Sequence, residues 1–144
     1  MNLLEAGKLG RTVIVQLTRG DKVIESIDKA LREAGIKSAV VVSGIGSLKK
    51  LHYHWPIDTA TVATDDFLMV EGPIEVGSIS GSYIDGVGHY HIVASDLDTY
   101  YIGHLENDSE VLYLLEVVLA EFDGCDLERK MTKENVRLVF QKES

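Results

Sequence analysis

Only one stretch of this chain repeats its apolar residues at helical spacing; the other apolar stretches are short, β-branched and cut off by turn signals. That imbalance limits the possible fold more than any other feature. Ile24, Ile27, Leu31 and Ala34 recur every three or four residues and lay a stripe along a helix over residues 22–34. Asp21 reads as its N-cap and Gly35 as its stop. Glu25–Lys29 and Asp28–Arg32 stand four apart with the acid first, the order that supports an exposed helix face. Segments 11–17, 38–43, 48–55, 67–71, 74–84, 89–95, 100–104 and 136–141 read as strands, rich in valine, isoleucine and tyrosine. Segment 111–122 fits strand or helix, and its valines and tyrosine favour strand. The G-P, D-G-V-G and D-L-D-T connections are tight turns. G-I-G-S at 44–47 reads as a bulge or turn, because the residues after it alternate instead of opening a helix. One helix among many short strands predicts an α+β fold over residues 1–144 as a single domain. Its sheet is expected to be mostly antiparallel and partly barrel-like, with the N-terminal helix and further helical cover on it.

Composition narrows the partners. Acids outnumber bases 23 to 14, for a formal net charge of −9. Duplex binders gain affinity by clustering Lys and Arg on phosphates, and here the adjacent basic pairs are Lys49-Lys50 and Arg129-Lys130 alone. Direct nucleic-acid binding and an anionic-membrane partner are therefore not expected. No apolar run approaches the roughly 20 residues that span a bilayer, and residues 1–8 show no basic stretch followed by an apolar one. The single cysteine, Cys125, allows no intrachain disulfide. The expectation is a cytoplasmic protein.

The histidines carry the chemistry. His89 and His91, in G-H-Y-H, share one face of a strand at a spacing of about 7 Å. If D-L-D-T closes a hairpin with Ser95 opposite Tyr100, equal steps back along each strand bring His91 opposite His104. Opposed residues have Cβ atoms about 4.5–5.5 Å apart, so three imidazoles cluster on one hairpin face. Three neutral histidines suit zinc first, and also nickel, copper or iron. They leave a fourth position for water or a small-molecule ligand, as at catalytic zinc. The alternative is three sheet histidines with hydrogen-bonded rings. A second H-x-H, His52 and His54, has no third partner in register and reads as surface or loop histidines.

Several segments, taken in order, resemble the PPC (plant and prokaryote conserved) domain family. They are L-T-R-G-D, A-V-V-V-S-G-I-G-S-L, E-G-P-I-E-V-G-S-I-S-G-S, G-H-Y-H-I-V-A-S-D, I-G-H-L and L-L-E-V-V-L. The resemblance implies an α+β fold related in architecture to acetolactate decarboxylases, and a homotrimer. It also implies a metal, commonly zinc, at the positions that fall on His89, His91 and His104. Plant members carry an AT-hook with an R-G-R-P core, which this chain lacks, and G-R-F-E-I-L where it has Gly72-Pro73-Ile74-Glu75-Val76-Gly77.

Three functions follow as expectations. The first is a metal-binding homotrimer whose ion is structural or takes a small-molecule ligand. The second is a metal-dependent enzyme of lyase or hydrolase type, with Glu75 as catalytic proton-transfer group or as a ligand or partner contact; Glu116 is the lesser candidate. The third is a DNA-associated regulatory module acting through partners. No basic residue stands out in the sequence as a grip for an anionic substrate.

Overall fold

The computed structural model describes residues 1–142. Nine elements follow in order: β1 (Lys8–Thr18), α1 (Val23–Glu33), β2 (Ser38–Pro56), β3 (Asp65–Ile84), β4 (Val87–Ser95), β5 (Tyr100–Leu105), β6 (Glu110–Asp123), β7 (Leu127–Met131) and β8 (Arg137–Gln141). Strand accounts for 63% of the chain and helix for 8%. The expected α+β class with helical cover is thus wrong: the fold is largely β, with one short helix. Apolar alternation was read correctly as strand, but no second stretch has the spacing that would supply more helix.

Six strands form an antiparallel sheet in the order β1-β6-β2-β3-β4-β5, and β7 pairs with β8 apart from it. Two long strands, β2 and β3, replace four expected shorter ones. Register shifts near Val41, Gly46 and Leu48 bend β2 within the G-I-G-S segment without ending it. The sheet curls until β5 meets β2 again, over only Tyr53↔Leu105 and His54↔His104. This two-pair seam is the extent of the closure, so the expected barrel character reduces to a curl. β7 and the separate hairpin were not foreseen, and β8, expected as the last strand of the chain, pairs with β7 outside the main sheet.

Alternation sorts the faces. On β4, Tyr90, Ile92 and Ala94 point into the core, while His91 and Val93 are exposed. Leu115, Val117 and Leu119 of β6 and Leu17 of β1 join the same core. Val23, Ile27 and Leu31 press α1 onto it from the inner face, each fully buried. Emptying one such site by Leu31→Ala removes about 2–5 kcal/mol of stability. Gly35, at φ 69°, stops the helix as expected. Asp21 does not cap it. Its carboxylate accepts from the amide and hydroxyl of Thr18, and Lys22 holds the N-cap position without a capping side-chain bond, its ammonium turned to Asp108 instead. The expected i,i+4 pairs also give way: Glu25 accepts from the Asp108 amide and Asp28 from the Tyr90 hydroxyl.

Candidate metal centre

Four histidines from three strands meet on the outer face of the curled sheet. The D-L-D-T turn sets Ser95 opposite Tyr100 and His91 opposite His104, the register expected from equal steps along the hairpin. Ser80 and Ser82 of β3 face His91 and His89 from the other side. These small side chains leave the imidazoles room. His89 Nε2 lies 3.2 Å from His91 Nε2. The His104 ring centroid is 4.9 Å from that of His89 and 5.5 Å from that of His91.

The fourth ring is His54, stacked on His104 at 4.5 Å between centroids. Sequence reading had placed it on a surface or loop, because its partner strand is reached only when the sheet curls. Gly103 permits this contact: a Cβ there would lie 2.5 Å from the His54 carbonyl oxygen. Glu106 was also missed, although it stands two residues after His104 and so shares its face. Its Oε1 sits 2.7 Å from His54 Nδ1 and 3.0 Å from His104 Nδ1. The approach to His104 is off the hydrogen-bonding line, so that nitrogen is buried without an aligned partner among the described residues. Donor atoms of His54, His104 and Glu106 all lie within 4.8 Å of one another.

The neutral state of the rings favours metal binding. Burial, followed by the charges of His104, Arg129, His91 and His54, pushes the His89 imidazole down to about 4. Burial also lowers His104, against the opposing pull of Glu106. Both rings are neutral at pH 7, with lone pairs to offer and no proton for an ion to displace.

The remaining candidates lie elsewhere. His52 turns its Nδ1 to the Asn107 carbonyl, 2.9 Å away. Glu75 is exposed and faces Ser95 and Ser47. Ser95 is four residues along β4 from His91, roughly 13 Å at strand rise. Glu75 lines a second cleft, of about 360 Å³, with Asp96 and Tyr113. Glu116 faces Gln16 and Ile45, on other strands again. The histidines instead open onto a cleft of about 520 Å³, whose other walls come from Phe67, Asp65 and the β7–β8 hairpin.

The fold and this cluster define an antiparallel β-domain that carries a polyhistidine pocket on its open face. Residues 4–123 match the Plants and Prokaryotes Conserved (PCC) domain, the family whose resemblance was drawn from the ordered segments, and the chain belongs to it. A plant- and prokaryote-conserved (PPC) protein of Pyrococcus horikoshii is 25% identical, with a TM-score of 0.80 over 95% of this chain and 96% of that one. A protein from Archaeoglobus fulgidus, described as metal-containing, is 24% identical, with a TM-score of 0.79 over 99% and 100%. A Bacteroides thetaiotaomicron protein provisionally described as DNA-binding is 18% identical, with a TM-score of 0.80 over 93% and 94%. A Staphylococcus aureus protein of unknown function, described as similar to alpha-acetolactate decarboxylase, shares the fold over 78% of this chain and 53% of its own, at 18% identity and a TM-score of 0.52. No curated protein sequence matches the chain.

Proposed function

We propose that this protein is a homotrimeric metal-binding domain that holds one divalent transition ion, zinc by preference, on His89, His91 and His104. One observation carries the reading. Two nitrogens bound at about 2.0–2.1 Å to one tetrahedral ion stand about 3.3–3.4 Å apart. His89 Nε2 and His91 Nε2 already stand 3.2 Å apart. Glu106, hydrogen-bonded at His54 Nδ1 and close to His104 Nδ1, favours the His54 tautomer that leaves its Nε2 without a proton and places a negative charge behind His104. The metal-containing relative from Archaeoglobus fulgidus supports the same reading. When bound, such an ion supplies Lewis acidity and an open coordination position for a small-molecule ligand.

The outer face supports the trimer. Val93 faces Ile102 two pairs along from His91 and His104, on the same face, and both are about half exposed, with Tyr100 beyond them. An apolar strip beside a polar pocket suits a subunit contact that also closes the pocket. Among the described residues no helix is long and apolar enough to cross a membrane, and we assign the domain to the cytoplasm on the lone Cys125. The net charge of −9 disfavours direct duplex contact, so an association with DNA would run through a partner.

Elemental analysis of purified protein, with light scattering for mass, tests the proposal. The expected result is one ion per chain in a particle of three chains, with the ion lost in His104→Ala. Undiminished metal in that variant removes the site.

A further inference from the structure

The histidine cleft has a second wall that lies outside the matched family segment, which ends at residue 123. In the β7–β8 hairpin Arg129 faces Val139 and Met131 faces Arg137, so these four side chains share one face of the ribbon. Arg129, Met131 and Arg137 from that face line the same cleft as His89 and His104. The Arg129 guanidinium donates to Ser82 Oγ at 2.8 Å, and Ser82 is the cross-strand partner of His89. Its Nε is buried and has no hydrogen-bond partner among the described residues.

Neither arginine forms an ion pair among the described residues. Burial lowers the Arg129 pKa from its usual range and the charge of Arg137 lowers it further, against the pull of Tyr90. Two carboxylates also line the cleft, and both turn toward imidazoles. Glu106 sits at His54 and His104, and Asp65 Oδ2 lies 3.8 Å from His54 Nε2. A half-buried guanidinium with an idle donor and a second cation beside it costs stability until an anion completes it. Phe67, Met131 and Val136 give the same cleft an apolar lining.

We propose that the cleft binds a small organic anion, a carboxylate or a phosphate ester, with its acidic head held by Arg129 and Arg137. The body of the ligand lies along Met131, Val136 and Phe67, and its far end reaches the histidines. The orientation toward an ion rests on the metal reading above; the anion grip rests on the arginines alone. The sequence hid this grip because the two arginines are eight residues apart, and only the hairpin's docking on Ser82 turns them to the histidines.

Calorimetric titration of the whole protein with inorganic phosphate and with succinate, before and after chelator treatment, tests the proposal. Saturable binding of at least one anion is expected, and which one binds identifies the head group. Arg137→Gln, at an exposed site that leaves the fold intact, and Arg129→Gln each weaken binding about tenfold or more. Arg19→Gln, remote from the cleft, leaves it unchanged. Failure of both anions to bind saturably, or wild-type affinity in both cleft variants, overturns the proposal. A protein that binds anion through the arginines yet holds no metal sinks the metal reading and leaves the anion site standing.

Discussion

The chain carries the same H-x-H pattern at 52–54 and at 89–91, and the two copies come to different ends. Both sit on strands, so within each pair the two rings start on one face. Across from His89 and His91 stand Ser82 and Ser80, which are small, and on the far side of His91 stands His104. Across from His52 and His54 stand Met69 and Phe67. His52 leans toward Phe67 and bonds the Asn107 carbonyl, whereas His54 stacks on His104. The spacing makes a shared face; the neighbouring strands decide whether two rings can reach one point.

The sharpest way to break this contrast is to remove the rings in turn. His89→Ala and His91→Ala should each empty the site in elemental analysis, while His54→Ala keeps the ion with weakened affinity. The reverse pattern would move the ion to His54, His104 and Glu106. Gly103→Ala comes next: its methyl group meets the His54 carbonyl, forcing β5 away from β2. A loss of about 1–3 kcal/mol in denaturant unfolding is expected, and an unchanged midpoint would mean the seam does not matter. Glu106→Ala should weaken metal affinity about 10–100-fold in a competitive chelator titration, the range for losing a carboxylate behind a ligand histidine. Full affinity would reduce Glu106 to a bystander.

Acid should act more gently. In metal-free protein His89 titrates at about 4, below the ordinary 6.5, so the unfolded chain takes up its proton first as pH falls. The stability this neutral ring contributes is complete above pH 6.5 and declines toward pH 4. Unfolding midpoints between pH 7 and 4.5 should show the decline, and His89→Gln should flatten part of it; identical profiles would exclude His89 as the cause. The smallest effect belongs to His52→Ala, with metal content unchanged and about 1 kcal/mol lost with its hydrogen bond to Asn107. Metal loss in that variant would erase the contrast between the pairs.

Much of this was legible locally. The stripe from Ile24 to Leu31 marked the helix, the turn at 96–99 set the β4–β5 register, and alternation put His89 and His91 on one face. Glu106 was legible too, by its two-residue step from His104, and was passed over. Helical cover beyond α1 was expected and the described residues form none, because an α+β class was inferred from a single periodic stretch. Glu75 was paired with the histidines by residue type, and only strand positions reveal the roughly 13 Å between its row and theirs.

By itself, then, the sequence determined the short-range order: period, turn length and which side chains share a face. These depend on residues a few positions apart, whose geometry the backbone dictates. The tertiary structure alone decided that His54 joins His104 from 50 residues away and that Arg129 and Arg137 stand over the histidines. Those contacts depend on how far a bulged sheet curls and where a separate hairpin lands. Packing of the whole core sets both, and no local pattern records the outcome.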